Sequence, residues 1–223
     1  MKTDRLQDLK IMKQEINPQD TTRAYAFKMW MSSPMPMVTL MKTLNVSRLV
    51  KVSRRTGMKF NMLLCWCVGK AACEIEEFYM LPEGNKMFHY DKLGINVIVD
   101  NAKGGISSCD IPYSDDLQQF NQDYLTLTAQ AASECKNISL EDSMVIGTSA
   151  VIHTELDCIV NQYSGIFNNP FLAWAKYRKH LFKTTLPISF QFHHVQMDGC
   201  QATSFLKGLQ QVIKHLEIKK ETS

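Results

Sequence analysis

The sequence predicts an α+β fold, a two-layer sandwich in which a mixed sheet is covered by helices on one side. Two observations lead there. Strand-like and helix-like periodicities are interleaved along the chain, and a strand ending at a pair of histidines feeds directly into a long C-terminal helix. At 223 residues the chain reads as one domain, 1–223, long enough to bury most of its apolar surface.

The strand-to-helix stretch is 186–216, LPISFQFHHVQMDGCQATSFLKGLQQVIKHL. Leu186, Ile188, Phe190 and Phe192 alternate with Pro187, Ser189, Gln191 and His193, which assigns the first set to one face of a strand. The same count puts His194 on the apolar face and His193 on the polar one, so the two histidines are expected to differ in role. A histidine on an apolar face is either a core residue satisfied by hydrogen bonds or a neutral base. Ala202, Phe205, Leu206, Leu209, Val212, Ile213 and Leu216 then recur at helical spacing. Gly199, between turn and helix, suggests a positive φ or a close backbone approach.

Earlier in the chain, residues 1–20 are charged, contain Asn17-Pro18, and read as an N-terminal arm laid over the surface. Residues 37–44 read as a strand, 46–55 as a basic helix stopped by Gly57, and 61–78 as a buried helix. Two strands are expected within 79–100, separated by the turn Pro82-Glu83-Gly84-Asn85. Gly104-Gly105 lacks the flanking residues of a phosphate loop and reads as a hairpin bend. Leu117, Phe120, Tyr124, Leu127 and Ala131 define a further helix, with Ser114 as its candidate N-cap and Asp115 and Asp116 in its first turn. The period of 171–177 does not decide between helix and strand.

Composition removes several classes of function. A net charge of +3, from 25 basic and 22 acidic residues, gives no strong field for nucleic acid or membrane. The seven cysteines form an odd set without a CxxC pair, as expected of reduced core thiols in a cytoplasmic protein that binds no metal. Neither a signal peptide nor a membrane-spanning run is read.

The string His193-His194-Val195-Gln196-Met197-Asp198-Gly199 matches HHxxxDG. With Arg23-x-x-x-Phe27 and IPYSDDLQQFNQDYL, it makes the chain resemble the chloramphenicol acetyltransferase family over most of its length. Peptide-synthetase condensation domains share HHxxxDG but are much larger. The resemblance implies a chloramphenicol acetyltransferase-like fold and transfer of an acetyl group from acetyl-CoA to a hydroxyl of chloramphenicol or a similar small acceptor, an antibiotic-resistance activity. It makes His194 the general base, acting in a ternary complex with one ring nitrogen fixed by a backbone carbonyl. Thr148 or Ser149 would support the oxyanion. Arg23 and Asp198 would form an architectural ion pair at the turn before Gly199. Without the family, Arg23 reads as a solvated charge. Phe27, Met29, Trp30 and Ile106 fall on the acceptor side, and Lys176 and Tyr177 on the coenzyme side. A homotrimer with active sites between subunits is also implied, for which 13 methionines among 45% hydrophobic residues would supply apolar surface. Alternatives are an acyltransferase core of the 2-oxo acid dehydrogenase type, which acts on a lipoyl thiol, and a non-catalytic scaffold of the same fold.

Overall fold

The structure, a computed structural model, describes residues 13–217. Its larger sheet is mixed. It contains β2 (Met37–Asn45), β5 (Leu93–Asp100), β6 (Ile106–Pro112), β7 (Met144–Val151), β8 (Phe171–Ala175) and β10 (Thr184–His193), with the two-residue β9 (Arg178–Lys179) paired to β10. The order is β2-β10-β8-β7-β5-β6. β7 runs parallel to both β5 and β8, and the remaining pairs are antiparallel.

Helices α2 (Ser47–Thr56), α3 (Phe60–Ala72), α4 (Leu117–Glu134) and α5 (Gly199–His215) form the second layer. α3 packs against α2, α4 and α5 and is apolar almost all round, as its central position requires. The inward face of β10 meets this layer: Phe190 lies 4.7 Å from Phe205 and 6.0 Å from Phe78, centroid to centroid. Burying such a phenylalanine contributes about 2–3 kcal/mol. α2 ends at Gly57, whose φ of +76° is the left-handed cap expected there.

Several expectations change. Part of the N-terminal arm is a strand, β1 (Lys13–Ile16), in a small antiparallel sheet with β3 (Met80–Glu83) and β4 (Lys86–Tyr90); residues 1–12 of that arm lie outside the described residues. Region 79–100 therefore holds three strands, not two. The helix predicted over 61–78 stops at Ala72, and a short 3-10 turn, Glu76–Tyr79, follows. Ile75 is extended between them, as suits a β-branched residue. The N-cap of α4 is Asp116, which accepts from the amides of Gln118 and Gln119, while the Ser114 hydroxyl accepts from the Asp116 amide. Residues 171–175 are strand, and Lys176–Tyr177 break it.

The polar face of β10 also differs from a solvated one. Ser189, Gln191 and His193 are all buried; over Gln191 the chain crosses at Asn161, whose carbonyl accepts from Gln191 Nε2 at 2.9 Å, and His193 is closed in by its own turn, accepting from the Val195 amide. The sheet thus carries helices on one side and an irregular strap on part of the other.

Candidate active site

The turn after β10 is held by one arginine. Arg23 precedes the short helix α1 (Ala24–Trp30), and its side chain is 4% exposed. Nε donates to the Val195 carbonyl at 2.9 Å, Nη2 to the His194 carbonyl at 2.9 Å, and Nη1 to Asp198 Oδ2 at 3.1 Å. A planar guanidinium satisfies three acceptors that converge from one turn, which an ammonium could not match in geometry. α1 is placed for this by Phe27, which packs with Val195, Met80 and Met87 in a small apolar cluster. Phe27 therefore lies under the turn and is half-buried there.

Asp198 has a second task. Its Oδ1 accepts from the Cys200 amide at 3.0 Å, and its own amide donates to Gln201 Oε1 at 3.3 Å, which makes it the N-cap of α5 in a capping box. Partial burial pushes its carboxyl upward, but the Cys200 amide, the Arg23 guanidinium and His194 outweigh burial and leave it below the usual carboxylate value. Gly199 begins α5 without a positive φ, and a Cβ there would meet nothing within 4 Å. The expected conformational need for glycine is absent at position 199.

The two histidines differ in kind. His193 is buried, and its Nδ1 accepts from the Val195 amide at 3.1 Å, which leaves the ring proton on Nε2. Burial, with His194 beside it, pushes its pKa down to about 4. It is a neutral structural residue whose lone pair is already used.

His194 is half-buried, and its amide donates to the Pro36 carbonyl at 2.8 Å. Its ring lies against the indole of Trp30, with centroids 4.9 Å apart and planes 5° from parallel. Nδ1 is buried with no hydrogen-bond partner. The backbone-carbonyl partner implied by the resemblance is thus not present, and the carbonyl of His194 itself is taken by Arg23. The ring is oriented by stacking instead.

Thr148 and Ser149 fall on opposite faces of β7. Thr148 aligns with Leu172 and Phe190 toward the helices, and its hydroxyl donates to the Asn96 carbonyl at 2.7 Å. Ser149 aligns with Ala173 and Ser189 on the other face. From Ser189 the chain climbs five residues to His194, so Ser149 and His194 are roughly 17 Å apart along the strands and roughly 10 Å across them. One chain does not bring them together. Met29 and Trp30 end α1 and are exposed, but Ile106 stands on the edge strand β6, four strands away from β10.

Lys176 is exposed between β8 and β9, and the Tyr177 ring lies 5.0 Å from that of Phe60. Lys59 precedes Phe60 and is exposed. Phe60 is not marked by a motif, since it meets Tyr177 only through the fold. Trp30 as the partner of His194 and Asn96 as the acceptor for Thr148 went unread for the same reason. Among the described residues, no group of three or more His, Cys, Asp or Glu side chains is placed to hold a metal ion, and no helix is long and apolar enough to cross a membrane.

Comparison with known proteins agrees with this arrangement. Chloramphenicol acetyltransferase 3 of Escherichia coli is 22% identical over 180 residues, which cover 78% of this chain and 84% of that protein. A solved chloramphenicol acetyltransferase superposes with a TM-score of 0.77 at 20% identity, covering 91% of this chain and all of the other. The fold is shared more distantly by a dihydrolipoamide acetyltransferase of Azotobacter vinelandii, with a TM-score of 0.64 at 16% identity and 86% coverage of each chain. The profile of the chloramphenicol acetyltransferase family matches residues 14–210. A mixed sheet under a helical layer, with an arginine-clamped HHxxxDG turn at the end of its long strand, thus places the chain in the chloramphenicol acetyltransferase family of acyltransferases.

Proposed function

We propose that the protein is an O-acetyltransferase that moves the acetyl group of acetyl-CoA to a hydroxyl of chloramphenicol or a similar small acceptor, with His194 as general base. The observation that carries this reading is the turn itself: Arg23 holds the successive carbonyls of His194 and Val195, and the His194 ring lies flat on Trp30. A base held so firmly saves the orientational cost of proton transfer.

The acceptor O–H gives its proton to the free imidazole nitrogen as its oxygen bonds to the thioester carbonyl carbon. The tetrahedral oxyanion accepts a hydrogen bond from a hydroxyl. On collapse the C–S bond breaks, and the thiolate takes the proton from the imidazolium. The hydroxyl is assigned to Ser149, because that of Thr148 already donates to Asn96 and faces the helices. The separation of Ser149 from His194 within one chain supports a homotrimer in which the base of one copy faces Ser149 of the next.

For acetyl-CoA, Lys59 and Lys176 supply cations for its phosphates, and the Phe60–Tyr177 pair supplies aromatic faces for its adenine. Met29 and Trp30 would meet the acceptor. An acceptor of chloramphenicol type would make expression of the gene protective against that drug.

The test is thiol release from acetyl-CoA with chloramphenicol, with a panel of other hydroxyl compounds, and with dihydrolipoamide, using wild type and His194→Ala. Hydroxyl-dependent release that falls more than about 100-fold in the variant is expected. Dihydrolipoamide as the preferred acceptor would replace this reading with the dehydrogenase-core one, and no release with any acceptor would favour the scaffold. Sedimentation velocity on the wild type should give three times the chain mass.

A further inference from the structure

The hairpin joining β9 to β10 is closed by a hydrogen bond from the His180 amide to the Lys183 carbonyl at 2.8 Å, which leaves Leu181 and Phe182 as its two central residues. Such positions ordinarily go to Asn, Gly or Asp, whose backbones turn readily and whose side chains are at home in water. Here they hold the two most exposed large apolar side chains among the described residues, at 88% and 92%. Nothing in the fold packs against them. A rule of turn chemistry is broken with no gain to the fold, which marks a role outside it.

The surroundings are cationic. Lys179, His180 and Lys183 flank the tip and are exposed. α2 is tied to the base of the hairpin, because the Thr184 amide donates to Ser47 Oγ at 2.8 Å and the Val46 amide donates to the Thr184 carbonyl at 2.9 Å. That helix exposes Lys51, Arg54 and Arg55. Helix α2 itself, residues 47–56, carries four basic residues and no aspartate or glutamate. The nearby acids Glu155 and Asp157 are both paired with Arg178.

We propose that the Leu181–Phe182 tip and the cations around it seat this end of the protein on an anionic lipid bilayer. Two apolar side chains flanked by Lys179 and Lys183 fit the boundary between headgroups and acyl chains, with the lysines facing anionic headgroups. A nucleic acid would use the cations but leave Leu181 and Phe182 in water. The tip is remote from the base, since β10, ten residues long, separates it from His194 by roughly 34 Å. Seating would leave the acceptor end facing solution, and each tip added by oligomerisation would strengthen the attachment.

The test is co-sedimentation of the full chain with vesicles of phosphatidylglycerol and phosphatidylcholine, or of phosphatidylcholine alone, at low and high salt. Wild type should sediment with the anionic vesicles, be released by salt, and ignore the neutral ones. Leu181→Asn with Phe182→Gly, which restores ordinary turn residues, should lower the bound fraction by at least about tenfold at unchanged melting temperature. Lys179→Glu with Lys183→Glu should do the same through charge alone. The proposal is overturned if wild type fails to sediment with anionic vesicles, sediments equally with neutral ones, or binds no better than the tip variant. It is also overturned if the tip variant leaves vesicle binding intact while raising KM for acetyl-CoA or altering the mass in solution, which would assign the tip to the coenzyme or to a second copy.

Discussion

The imidazole of His194 lies flat on the indole of Trp30, centroids 4.9 Å apart and planes 5° from parallel, while the Nδ1 of that imidazole has no hydrogen-bond partner. Stacking holds the ring plane without consuming the one acceptor lone pair of the neutral imidazole, so the indole does the orienting that a hydrogen bond would otherwise do. Trp30→Ala should lower kcat by about 10- to 100-fold at saturating acetyl-CoA, the scale on which a misplaced base costs rate. Trp30→Phe keeps a flat face and should stay within about threefold. Steady-state kinetics check this. A loss confined to the acceptor KM would make Trp30 a pocket wall instead of a positioning residue.

Arg23 and Asp198 are unequal partners, with side chains 4% and 43% exposed. Arg23→Ala would strip two backbone carbonyls of the donor they share the turn with, and leave buried acceptors unpaired. A loss of about 3–5 kcal/mol is expected in denaturant unfolding. Arg23→Lys should rescue little, because one ammonium cannot reach all three acceptors in plane. Asp198→Asn keeps the oxygen that caps α5 and should cost only about 1 kcal/mol. Equal losses from both sides would mean that the ion pair, and not the carbonyl contacts, carries the stability.

The parts of this fold that were legible in the sequence are those whose signal is local. β10 and α5 each repeat their apolar residues at one period, and Gly57 marks the end of α2 by its own backbone freedom. β1 was hidden because its strand character comes from a partner about 70 residues away: Lys13–Ile16 align with Met87–Tyr90, and Lys13 reaches Glu83 at 2.6 Å. The polar positions of β10 read as solvent-facing, since no pattern announces that the chain will cross over Gln191 at Asn161 or that its own turn will close in His193. At the site, HHxxxDG marks the turn, but Trp30 lies 164 positions before His194, and Phe60 meets Tyr177 only across the fold, 117 positions away.

Thr148 and Ser149 are neighbours in sequence with opposite prospects. Thr148→Val keeps the shape but deletes a buried hydroxyl that donates to Asn96, and should cost about 1–2 kcal/mol of stability with activity within about twofold. Ser149→Ala should leave stability nearly unchanged and lower kcat by about 10²–10³-fold, the usual effect of removing one oxyanion donor. Melting curves and single-turnover rates on both variants separate the roles, and the reverse pattern would move the oxyanion assignment to Thr148.

His193 links stability to pH. In the folded protein burial holds its imidazole neutral down to about 4, whereas the unfolded chain protonates it near the ordinary 6.5. Between these values the unfolded state binds more protons, so stability present at neutral pH is lost as pH falls through 6.5 toward 4. Each unit is worth about 1.4 kcal/mol, for a total of roughly 3 kcal/mol. His193→Asn retains an acceptor for the Val195 amide and removes the titration. Urea unfolding at pH 7.5 and pH 5.0 should therefore show wild type losing about 2 kcal/mol more than the variant across that interval. Parallel losses in the two proteins would mean that His193 reaches solvent and protonates in the native state.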